Sequence, residues 1–267
     1  MHRISRLIRP AVAAACLLAA MAAAPAHAGR PCTDTKLTPQ GIGRSMDLAQ
    51  RTAAALDASG AQVVVLARAG QDLSRYRLQW SHLGLAWRTD DGHWRLSHKL
   101  NQCGSATAAV YRQGLGDFFL DDLWRYQAAW VVPTPEMQQK LRALLQSRER
   151  TLDLHEPRYS MTSYAWGQTY QQSNQWALET LAEAMEPATI RSRAQAQAWL
   201  RFKGYAPTVL QLGPLTRLGG RMTRANVAFD DHPPQDRFAD RIATVTVDSV
   251  FDWMEATGLG GPVVRLQ

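Results

Sequence analysis

The first residue with chemistry to offer is His82, inside Trp80-Ser81-His82-Leu83-Gly84-Leu85-Ala86-Trp87-Arg88. A neutral imidazole accepts a hydrogen bond or a proton near physiological pH. Leu83, Leu85 and Trp87 alternate with His82, Gly84 and Ala86, the period-two pattern of a strand with one buried face. Gly84 leaves space beside the imidazole. His98 falls on a returning strand, and Ser173-Asn174-Gln175 brings a hydroxyl and two carboxamides to the start of a helix. Those groups suit a ligand's carbonyls and amides. The densest polar cluster is Asp230-Asp231-His232.

Each candidate also has an ordinary reading. His82 could be a hydrogen-bonded, partly buried histidine, and Ser173 a helix N-cap. Asp230, Asp231 and His232 read as a metal or acid–base site, or as a loop in which aspartate caps turn amides and pairs with histidine. Asp121-Asp122 reads as a solvated turn. His93 and His98 lie five residues apart, on opposite faces of a strand, which opposes a shared metal site. No metal or other cofactor is expected. Of nine tryptophans, Trp166, between Tyr164 and Tyr170, is the candidate for an exposed ligand platform.

Residues 1–28 read as a secretory signal: Arg3, Arg6 and Arg9, an apolar run from Ala11 to Ala24, then Ala26-His27-Ala28. The run is shorter than the ~20 residues of a bilayer span. Cleavage would leave a single domain, 29–267, with no membrane span, in the periplasm or outside the cell. Loss of three arginines lowers the formal charge from +7 to +4. That mild surplus contains no Lys/Arg-dense block, and a nucleic-acid partner is not expected. Cys32 and Cys103 survive cleavage, and in an oxidising compartment they are expected to pair. The bridge would contribute about 4 kcal/mol in the chain-entropy account.

These residues need elements to position them. Thr38-Pro39 opens a helix that Gly60 ends, and Ala61–Ala67 is a near-continuous β-branched run, hence a central strand. Asp90-Asp91-Gly92 turns the histidine strand into His93–His98. A short helix is expected over Ala106–Gln113, a strand over Tyr126–Val132 and a helix from Thr134-Pro135-Glu136. Further helices start at Ser173 and Ser192. Strands are expected at Val209–Leu212, Met222–Phe229 and Ile242–Val247, and a last helix at Asp248–Thr257. The order argues for an α+β fold, with an antiparallel sheet packed against helices.

The Ser81-His82-x-Gly84 strand, a second strand, a Pro-Glu-initiated helix and a tyrosine-rich loop feeding the Asn174 helix resemble circularly permuted papain-like proteins of the NlpC type. The resemblance covers about residues 61–186, leaving 205–267 as a C-terminal strand and helix extension. It implies an imidazole at His82, an orienting group at His98, and a nucleophilic cysteine at the helix start, where its pKa would be lowered. This chain has Gln175 there, and a carboxamide is no nucleophile. The expectation is an inactive papain-like scaffold that binds an envelope polymer or another envelope protein through His82, Asn174, Gln175, Trp166 and the 230–232 cluster. The alternative is an envelope amide or ester hydrolase using Ser173 or the Asp230–His232 cluster. The chain also resembles an uncharacterised bacterial domain-of-unknown-function family with a Phe-Asp-Asp-His-Pro segment, here Phe229–Pro233.

Overall fold

A computed structural model describes residues 37–121 and 123–267. Its centre is β1 (Val63–Ala69), buried at every position. Val63, Val65 and Ala67 enter one hydrophobic core while Val64 and Leu66 enter another, so the β-branched run packs on both faces. The same sheet holds β2 (His82–Arg88), β3 (Trp94–Asn101), β4 (Ala108–Gly114), β5 (Arg125–Val131) and β8 (Val264–Leu266). The order β4-β3-β2-β1-β5-β8 is antiparallel throughout.

One face is covered by α1 (Pro39–Ala58) and the short α2 (Leu115–Phe119), through Leu48, Leu56, Phe118 and Phe119. Thr38 caps α1 by accepting the Gly41 N–H, with proline at the first turn. The other face is covered by α3 (Pro135–Gln146), α4 (Ser173–Met185), α5 (Arg193–Phe202) and α8 (Val247–Ala256). In α4 every residue from Ser173 to Ala184 is buried. A helix enclosed on all sides is a core helix. β6 (Thr208–Gln211) and β7 (Arg241–Thr244) pair as a small second sheet, with α6 (Pro214–Thr223) and α7 (Pro234–Phe238) between them in the chain.

Three expectations are overturned. Ala106–Gln113 is not a helix: Ala108–Gly114 pairs with β3 over seven residue pairs, and tertiary pairing overrides the helix preference of alanine. The helix in this stretch is α2, which begins where that strand ends. Met222–Phe229 is not a strand: Met222 belongs to α6, which proline starts at Pro214, while Val227 and Phe229 pack from a turn against Leu212 and Ile242. Ser173 is not the cap of α4. Gln172 caps it, its side-chain oxygen accepting the Asn174 N–H at 2.9 Å.

Residues 205–267 supply α8 to the larger core and β8 to the sheet edge, where Ala128 pairs with Leu266. Among the described residues no helix is long and apolar enough to cross a membrane. The expected signal and Cys32 lie outside the described residues. Cys103 is not a free thiol, but its pairing with Cys32 is not visible.

Candidate functional site

A cleft of about 630 Å³ opens where β1, β2 and β3 end, beside the first turn of α4. That volume suits a small-molecule or short oligomeric ligand. His82, Ser173 and Asn174 all line it, as do Leu210, Leu212 and Val245, so the C-terminal segment forms one wall. Trp80, Leu73, Leu100 and Leu120 give it an apolar side.

The two ends of the site come from different faces of the sheet. Leu83, Leu85 and Trp87 pack toward α4, whereas His82 points with His98 and Phe118 to the α2 side. His82 and the α4 tip meet only where the sheet ends. There the Asn174 side-chain oxygen accepts the Leu83 N–H at 2.9 Å, fastening helix to strand. That bond orients the carboxamide, since an N–H needs the oxygen as acceptor. Asn174 Nδ2 is neither sealed from solvent nor bonded among the described residues, so a donor is presented to the cleft.

The imidazoles form a relay across three strands. His82 Nε2 lies 3.0 Å from His98 Nδ1, and His98 Nε2 lies 2.6 Å from Gln113 Oε1. Burial, with Arg68 and His98 nearby, holds the His82 pKa well below the usual imidazole range. Burial likewise lowers that of His98 to about 4, so both rings are neutral at pH 7. The Gln113 carbonyl oxygen requires a proton on His98 Nε2, leaving His98 Nδ1 as an acceptor. His82 then donates from Nε2, and its Nδ1 is left unprotonated. That atom is unbonded among the described residues and is not sealed off, so it faces the cleft as an acceptor.

Beside the relay, buried Arg68 donates to the Phe118 carbonyl and, at 2.7 Å, to the Asp121 carboxylate. Both charges line the cleft, and their pairing keeps its charge balanced. Asp121 is therefore an ion-pair partner and not the solvated turn residue the sequence suggests. Arg68, Asp121 and Gln113 are absent from the sequence-derived candidates. The available signal for Arg68 was a lone charge closing a run of buried strand residues, Val63-Val-Val-Leu-Ala-Arg68.

A family model described as "Uncharacterized protein conserved in bacteria (DUF2145)" matches residues 55–254. The chain belongs to this bacterial family. No curated protein and no solved structure matches the chain. The matched span runs from the end of α1 to α8 and takes in both histidines, the α4 tip and most of the cleft wall.

The other sequence-derived candidates sit elsewhere. Gln175, where the papain-like pattern puts its nucleophile, is buried and does not line the cleft. Its oxygen accepts the Ser163 hydroxyl at 2.8 Å, and its nitrogen donates to Glu179 at 3.2 Å. Ser173, released from capping, lines the cleft, as does buried Tyr159. Trp166 is half-buried against Tyr205 beneath Arg201, away from the cleft.

The 230–232 cluster clamps two loops together. Asp231 accepts the Tyr164 N–H at 2.8 Å, His232 Nε2 lies 2.8 Å from the Thr162 carbonyl, and Tyr170 bonds to Asp230. Among the described residues no three His, Cys, Asp or Glu side chains are grouped to hold a metal ion.

Proposed function

We propose that this family member is a non-catalytic binding protein of the cell envelope, exported to the periplasm or beyond, whose ligand occupies the His82–Asn174 cleft. The observation that carries the reading is the pairing, at one cleft, of an unbonded imidazole acceptor at His82 Nδ1 with an unbonded amide donor at Asn174 Nδ2. A peptide-like amide offers the complementary N–H and C=O. The paired charges of Arg68 and Asp121 favour a ligand without net charge, and the leucines and Trp80 favour one with an aliphatic part. Envelope polymers carrying short peptides have this chemistry. The export half of the proposal rests on the leader pattern of residues 1–28.

Burial makes His82 a poor general base: its relay ends in the neutral amide of Gln113, and among the described residues no carboxylate is hydrogen-bonded to either ring. The scaffold reading is a permuted papain-like protein without its reactive pair. Its support is a histidine strand preceding a fully buried helix whose tip touches that strand. Binding of a soluble peptidoglycan fragment, measured calorimetrically, tests the proposal. His82→Ala and Asn174→Ala should each weaken it at least tenfold; unchanged affinity in both would refute the cleft as the site.

A hydrolase remains the second reading, favoured by one observation: Ser173 is freed from capping by Gln172 and lines the same cleft as His82. Labelling of Ser173 by a fluorophosphonate, abolished by His82→Ala, would establish it and overturn the binding-only account.

A further inference from the structure

Helix α6 faces the wrong way for a helix that only supports the fold. Leu215, Leu218 and Met222 fall at i, i+3 and i+7, one stripe of the helix, and stripes of this kind ordinarily face a core. Here they are 84%, 55% and 60% exposed, and no residue of α6 is buried. The side turned inward is instead Gly220, where an added Cβ would lie 3.2 Å from Val227, together with Arg217, which donates to Asp240 at 2.7 Å.

Charge accompanies the stripe. From residue 213 to 229 there is no acid, while Arg217, Arg221 and Arg224 all lie on the helix or at its end. Arg221 and Arg224 have no ion pair among the described residues. Phe238, two residues before the Asp240 that holds Arg217, is 78% exposed next to Arg237.

We propose that α6 is an interfacial anchor that lays Leu215, Leu218 and Met222 into an anionic lipid surface, with Arg221 and Arg224 held at the headgroups. An apolar stripe flanked by arginines on a helix lying along the surface is the pattern of such anchors. Three protruding side chains fall far short of the roughly 800 Å² per partner that a stable protein interface covers, which favours lipid over a second protein. Each basic residue adds attraction to an anionic leaflet that salt screens. β6 ends two residues before Gly213, so docking would hold the Leu210–Leu212 wall of the cleft close to the lipid.

Hydrogen exchange by mass spectrometry on the full chain tests this locally, whatever residues 1–36 do. With vesicles of phosphatidylglycerol and phosphatidylcholine, amides of 214–223 should exchange at least fivefold more slowly, and with phosphatidylcholine alone they should not. Leu215→Ser/Leu218→Ser/Met222→Ser should lose the protection, with unchanged exchange in β1 as the folding control. Should that variant not fold, Arg221→Gln/Arg224→Gln, which alters only exposed side chains, should lose most of it. Unchanged exchange of wild type on anionic vesicles would overturn the proposal, as would equal protection by neutral vesicles. Protection that rises with protein concentration without vesicles would assign the stripe to a second copy and overturn it too.

Discussion

Midway along α4, the Glu179 carboxylate receives hydrogen bonds from Arg193, Gln171, Gln175 and Gln197, all within 3.3 Å, while at the start of the same helix Ser173 and Asn174 open on the cleft. Both regions are rich in carboxamides. In the first, every amide is consumed in neutralising a buried charge. In the second, Asn174 spends its oxygen on Leu83 and keeps its nitrogen unspent, and His82 keeps Nδ1. Satisfied buried polar groups hold a fold together, and unsatisfied ones at a cleft are available to a ligand. The contrast separates the structural half of α4 from its binding half.

The comparison breaks most easily at Glu179. Glu179→Ala leaves Arg193 buried without its partner and should cost about 3–5 kcal/mol, measured by urea unfolding. A loss under 1 kcal/mol would mean the network is not structural. Lys99 extends the same network, donating to Gln171 and to the Glu156 carbonyl, and burial lowers its pKa from 10.5 to about 7. Between those values the unfolded chain binds more protons than the folded one, so stability should rise with pH from about 7 to 10, by about 2–4 kcal/mol. Below pH 7 this contribution is flat, and Lys99→Met should abolish the rise in a pH series of unfolding curves.

Gly84 sharpens the account of the histidine strand. A Cβ there would lie 2.6 Å from the Leu96 side chain, so Gly84→Ala should cost about 1–3 kcal/mol by overpacking. The glycine therefore admits a core leucine, and not a ligand as the sequence suggests. At the cleft the main effect is expected on binding: His82→Ala leaves buried His98 Nδ1 without its donor and should cost about 1–3 kcal/mol of stability, while weakening ligand binding at least tenfold. A large stability loss with intact binding would reverse the assignment of the two regions.

Much of this arrangement was legible in the sequence. The alternation of β2 between two faces follows from periodicity and the central position of β1 from its β-branched run, but β2 is buried on both faces and not on one, because Ala86 enters the core under α1 while Leu83 and Leu85 enter the other. The proximity of the His82 strand to the Asn174 helix was implied by the resemblance to papain-like proteins, and the Leu83–Asn174 bond joins the two. What stayed hidden depends on partners distant in the chain. Arg68 is paired through Asp121, 53 residues away, and His98 reaches Gln113 across a strand that alanines disguised as a helix. The cap of α4 was misplaced by one residue because serine is the commoner cap and glutamine took the role. Trp166 looked like a platform because local sequence does not reveal Tyr205 and Arg201 packed on it.

The most direct measurement is the ¹⁵N imidazole spectrum of His82 during titration with a soluble peptidoglycan fragment. The account predicts a neutral ring with the proton on Nε2, an Nδ1 resonance that shifts as the fragment binds, and a fragment recovered intact. A protonated ring at pH 7, a fragment that is cleaved, or binding that leaves the Nδ1 resonance unmoved would contradict it.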